Sequence, residues 1–178
     1  MGIWIAVAVI LFALGSIMAL KPSGVERRLD DVRMTARRLG LNPKLIATPE
    51  WLKPASEFQA TSTSPMIARY SLIDDGYALP DCQYKVIDGR LRPVQNNDAF
   101  ISNQAFILNN AHLDLPSAIA SQILGISTQA NSISVYWLDN NYVKPAHNAN
   151  YAQSQIEPDL LALKEALIGC AEKLVNVK

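Results

Sequence analysis

IWIAVAVILFALGSIMAL, residues 3–20, organises the whole chain: eighteen consecutive positions carry no charge, and only Gly15 and Ser16 weaken the run. As an α-helix rising 1.5 Å per residue it would span roughly 27 Å, close to the thickness of a bilayer's hydrocarbon core. Trp4 at one end and Lys21 at the other are residues that headgroup zones stabilise, the first as an amphipathic ring and the second as a long cationic stem. A cleaved leader would need a charged region first and small residues ahead of the cut. Here Met1 to Trp4 carry no Lys or Arg, and bulky Ile17 precedes Ala19. The sequence therefore predicts a single-pass transmembrane anchor over residues 1–21. Gly15 and Ala19 lie four apart, a spacing that would let a partner span approach one face of the helix, with plain lipid-facing positions as the alternative.

Outward from the anchor, charge is the next signal. Between Lys21 and Lys44 stand seven basic residues and three acids, which leaves nine basic and thirteen acidic residues for the rest of a chain whose formal charge is zero. Lys and Arg beside a span are retained on the inner side of the membrane, so the expected topology is an outer N-terminus and a cytoplasmic C-terminal domain. The acidic remainder offers a nucleic-acid backbone no broad surface, and no nucleic-acid partner is expected. In that reducing compartment Cys82 and Cys170 read as small buried hydrophobes rather than a disulfide.

Residues 22–41 predict a basic juxtamembrane helix. Ser23 and Glu26 have the offset of a capping box, Val25, Leu29, Val32, Ala36 and Leu39 form one apolar stripe, and Gly40 followed by Asn42-Pro43 ends it. Arg27, Arg28, Arg33, Arg37 and Arg38 flank the stripe. They are the candidate membrane-surface or partner contacts, with an ordinary solvated face as the alternative.

The order of these parts, an uncharged span, then Leu20-Lys21-Pro22 and an arginine-rich helix, is similar to the start of YajC-type accessory subunits of bacterial preprotein translocase. The resemblance covers residues 3–40. It implies a bacterial inner-membrane accessory protein and assigns no functional residue.

Beyond residue 41 the expectation is an α+β fold. Four prolines and a Ser/Thr cluster mark residues 42–65 as an irregular arm, whose Trp51 and Phe58 need an apolar surface to lie on. A small, mainly antiparallel sheet follows over residues 66–178, with strands predicted at 66–73, 82–87, 91–95, 99–108 and 132–138. Asp88-Gly89 is a strong hairpin signal, with Pro93 placing the second arm at a sheet edge or cutting it short. A short helix is predicted over 115–124, closed by Gly125, and 142–144 is read as a return strand after the Asp139-Asn140-Asn141 turn. A C-terminal helix from Glu157 or Pro158 to Val175 packs on the sheet through Leu160, Leu161, Leu163, Leu167, Ile168, Ala171, Leu174 and Val175.

Chemistry is thinly represented. The base most used in catalysis occurs only at His112 and His147, and Asp114 and Ser117 near His112 are the sole hint of a triad. Two cysteines eighty-eight positions apart and two unclustered histidines give no zinc spacing. The eight glycines are scattered singly, which leaves no phosphate-cradling loop. The sequence thus predicts no catalytic residue, metal, cofactor or small-molecule substrate. It predicts a membrane-anchored accessory or scaffold subunit that binds another protein, with a membrane-surface enzyme or a lipid-surface sensor as alternatives.

Overall fold

The computed structural model describes residues 2–19, 23–53, 66–94 and 107–175, with backbone alone at 6, 8 and 16–19. The first helix, α1, runs Gly2–Ala19. Among the described residues no helix is long and apolar enough to cross a membrane. Every described side chain of α1 is exposed, Ile3 at 80% and Phe12 at 79%.

The second helix, α2 (Gly24–Arg38), begins and ends as its sequence dictates. Ser23 Oγ accepts the Glu26 amide at 3.2 Å while the Glu26 carboxylate accepts the Ser23 amide at 2.6 Å, so two amides that the first turn leaves unpaired are satisfied reciprocally. At the other end Gly40 takes φ +84°, its amide bonding Arg37 O and that of Leu41 bonding Ala36 O. This is a Schellman closure, sealed by buried Leu41 against buried Ala36.

Six antiparallel strands form one sheet: β1 (Asn42–Ala47), β2 (Met66–Ile73), β3 (Leu79–Ile87), β4 (Arg90–Pro93), β5 (Ile123–Ala130) and β6 (Ser132–Trp137), in the order β1-β2-β6-β5-β3-β4. Asp88 (φ 52°) and Gly89 (φ 71°) make the predicted two-residue turn between β3 and β4, the left-handed pair that matches strand twist. The β5–β6 hairpin wedges between β2 and β3, so the β2–β3 loop must pass around its tip. Asp74 N donates to Asn131 O and Asn131 Nδ2 to Asp75 Oδ1, both at 2.9 Å, which clamps that loop to the hairpin. The adjacent aspartates 74 and 75 therefore serve the turn.

The core lies between one sheet face and the helices α2 and α5 (Ile156–Val175). Tyr70, Tyr84, Ile126, Ile133, Val135 and Trp137 point inward from the strands and meet Val32 and Ala36 of α2 and Leu160, Leu163, Leu167, Ala171 and Leu174 of α5. The apolar stripe of α2 is thus spent on its own domain. On the opposite sheet face a smaller cluster of Leu52, Ile67 and Tyr136 is closed by Ile46, Trp51 and Leu124.

Several expectations are corrected. Within the stretch read as an irregular arm, residues 42–47 form β1, because an edge strand can carry Pro43 without losing an inner ladder bond; a 3-10 turn at Glu50–Leu52 follows. The helix predicted over 115–124 is the four-residue α3 (Ser117–Ala120), and Gly125 lies within β5 instead of closing it. After Trp137 the chain forms a helical turn, α4 (Asp139–Tyr142), in place of a return strand, with the Asn141 and Tyr142 amides bonding Leu138 O. Leu161 faces outward, 43% exposed. Most of the strand predicted over 99–108 and Phe58 of the arm lie outside the described residues. Cys82 and Cys170 are both buried thiols.

Candidate functional site

The helical period divides the five arginines of α2. Arg28 and Arg33 border the apolar stripe on either side, while Arg27, Arg37 and Arg38 stand further round. Arg33 turns inward. Its Nε lies 2.9 Å from Asp139 Oδ2, an ion pair between α2 and the start of α4, and Tyr70 OH donates to the same oxygen at 3.2 Å. Burial alone would lower the Arg33 pKa, but the hydrogen bond and charge of Asp139 outweigh it and the pKa is raised. Burial first, and the Asp139 charge next, push the Tyr70 phenol well up, so it stays a hydrogen-bond donor. Arg33 is thereby committed to the domain.

Arg28 sits over the Tyr151 ring at 5.3 Å, a cation–π contact that fixes α2 against the loop before α5. Arg37 Nη1 reaches Met34 Sδ at 3.4 Å and Arg38 Nη2 reaches Thr35 Oγ1 at 3.3 Å, bonds within the helix that leave both residues exposed, as Arg27 is. Four of the five predicted contacts are thus exposed, Arg28 among them beside the Tyr151 ring. Gly15 lies on α1 with open space around it, and of Ala19 only the backbone is described.

Two cavities hold the histidines. One, of about 520 Å³, is bounded by α3, the 147–152 loop and the start of α5, and brings His147, Tyr142, Tyr151 and Asp159 together. Tyr142 OH donates to Asp159 Oδ2 at 2.8 Å, and burial chiefly, with that bond, raises the phenol's pKa. Tyr151 OH is buried without a hydrogen-bond partner among the described residues. Asp159 is engaged by Tyr142, and no hydrogen bond joins it to His147. The other cavity, about 300 Å³, lies between His112–Asp114 and the α5 residues Glu165, Gly169, Cys170 and Lys173. Burial pushes the Cys170 thiol up to about 11, against the opposing charge of Lys173. Such a thiol is a poor nucleophile near neutrality. Among the described residues no group of three His, Cys, Asp or Glu side chains is placed to hold a metal ion.

A feature that no local sequence pattern signals lies on the sheet face away from the helices. Strand register places Lys44, Arg69, Tyr136, Gly125, Lys85 and Arg92 in one line across all six strands, each the direct partner of the next. At its centre Trp51 meets Tyr136 edge to face, ring centroids 5.2 Å apart, and a Cβ on Gly125 would stand 2.9 Å from both Trp51 Cζ3 and Leu52 Cδ2. Gly125 is therefore the gap into which the arm packs. Lys85 Nζ holds the arm by donating to Lys53 O at 3.3 Å.

No protein-family model matches the chain, and neither a curated protein nor a solved structure does.

Proposed function

We propose that the chain is a membrane-tethered, non-catalytic accessory subunit: α1 crosses the bilayer with its N-terminus outside, and the α+β domain binds another protein at the cytoplasmic surface of a bacterial inner membrane. The observation that carries this reading is the naked apolar surface of α1. Nine large hydrophobic side chains between Ile3 and Leu14 are exposed. At roughly 1.5–3 kcal/mol for burying each, the surface left in water costs more than 10 kcal/mol, comparable with the whole stability of an ordinary domain. The described helix ends at Ala19, and in the sequence the uncharged run continues through Leu20 to Lys21. Arg27, Arg37 and Arg38, exposed within nineteen residues of that end along the chain, suit both inner-side retention and attraction to anionic headgroups. The likeness of residues 3–40 to YajC-type translocase subunits agrees with the same role.

The test is purification of the full chain from native membranes in mild detergent after crosslinking, read by mass spectrometry. The reading expects a membrane protein to be recovered reproducibly. Repeated recovery of the chain alone contradicts it.

A further inference from the structure

The line of side chains across the sheet face away from the helices sets two like-charge pairs directly opposite each other, Lys44 with Arg69 on β1 and β2, and Lys85 with Arg92 on β3 and β4. Like charges facing across strands destabilise a sheet. No acidic side chain pairs with any of the four among the described residues, and Arg69 Nε is buried with no acceptor. Among the described residues, Glu50 is paired to Lys53, and Asp81 is set four residues up β3 from Lys85. An anion seated between the members of each pair would turn both repulsions into attractions.

We propose that this face is the docking surface for an extended acidic segment of the partner protein, with one carboxylate on each cation pair. With strands about 4.8 Å apart, four gaps separate the middle of the Lys44–Arg69 pair from the middle of the Lys85–Arg92 pair, roughly 19 Å, which an extended chain covers in about six residues. Acids spaced six apart therefore meet both pairs as the segment passes over Trp51. A bilayer is the less suitable occupant because α2, which enters from the tether, packs on the opposite side of the sheet. Nucleic acid is less suitable because Tyr136 is buried and already meets Trp51 edge to face, so the two rings do not form a stacking platform for successive bases.

The inference rests on the partner-binding reading, and the two fail separately: that reading fails when no partner is recovered, this one when the titration below fails. The full chain in uncharged dodecyl maltoside micelles is titrated, by fluorescence anisotropy at low salt, against a fluorescein-labelled twelve-residue peptide of Glu and Ser with Glu at every sixth position. A Gln-for-Glu peptide and a twelve-nucleotide thymidine strand are run beside it. The Glu peptide binds, the Gln peptide does not, and Lys44→Gln with Arg92→Gln weakens binding about tenfold. Lys144→Gln with Lys164→Gln, which removes as much charge away from this face, changes it less than twofold. Because repulsion is relieved, the Lys44/Arg92 variant also melts no lower than the parent. Tighter binding of the thymidine strand, equal weakening in both double variants, absence of Glu-peptide binding, or a lowered Tm for the Lys44/Arg92 variant overturns the proposal.

Discussion

Asp139→Ala tests how the juxtamembrane helix is joined to the domain. One carboxylate oxygen serves two groups, Arg33 Nε at 2.9 Å and Tyr70 OH at 3.2 Å, on a side chain only 4% exposed. Removing it leaves the Tyr70 hydroxyl buried without an acceptor, which costs about 1–3 kcal/mol. It also strips Arg33 of a charge-assisted bond worth about 1.5–3 kcal/mol in a dry site. The Arg33 side chain keeps 26% exposure, so water reaches the guanidinium and its share falls to the low end. The expected loss is about 3 kcal/mol, a fall in Tm of about 6–12 °C for a domain of this size. The assay is urea unfolding of the full chain in dodecyl maltoside, followed by fluorescence from Trp137, which is fully buried 5.2 Å from the Tyr70 ring. Arg33→Met completes a double-mutant cycle, with a coupling of about 1–2 kcal/mol expected. A loss below about 1 kcal/mol for Asp139→Ala, or additive single variants, refutes the claim that this carboxylate fastens α2 to the sheet.

Three further substitutions or reagents probe other parts of the fold. Gly125→Ala puts a methyl group 2.6 Å from Tyr84 O, a backbone atom that cannot move cheaply, and should cost about 2 kcal/mol in the same urea assay, with Trp51 emission shifting to the red as the arm lifts. Ala130→Gly should stabilise by about 0.5–1 kcal/mol, because Ala130 holds φ +51° at the tip of the β5–β6 hairpin; an unchanged midpoint counts against strain there. Cys170, with its pKa raised to about 11, has only about a thousandth of its thiol ionised at pH 8, so iodoacetamide should leave it unmodified in the native chain and alkylate it in urea. The sign of the linkage follows: burial disfavours the thiolate in the fold, so this group's contribution to stability is intact below about pH 8.5 and declines as pH rises from there towards 11.

Features confined to a few neighbouring residues were legible from sequence. The capping box at Ser23 and Glu26, the stop at Gly40, the Asp88-Gly89 turn and the β-branched and aromatic run of β6 each depend on local backbone chemistry. Readings failed where tertiary context changed the meaning of a residue. Gly125, following an apolar stretch, resembles a helix stop, yet its role is to admit Trp51 and Leu52 against the sheet. Pro43 argues against a strand unless that strand is known to be an edge. Arg33 looks like its neighbours until the fold brings up Asp139, 106 residues away. The cation row is the extreme case: its members come from four separate strands and align only once the register of all six is known.

The tether is the premise of the functional reading, and carbonate extraction of membranes containing the full-length chain tests it most directly. The chain should stay in the membrane pellet at high pH, and Leu11→Arg with Phe12→Arg, two cations placed near the middle of the apolar run, should release it. Release of the unaltered chain into the supernatant contradicts the account.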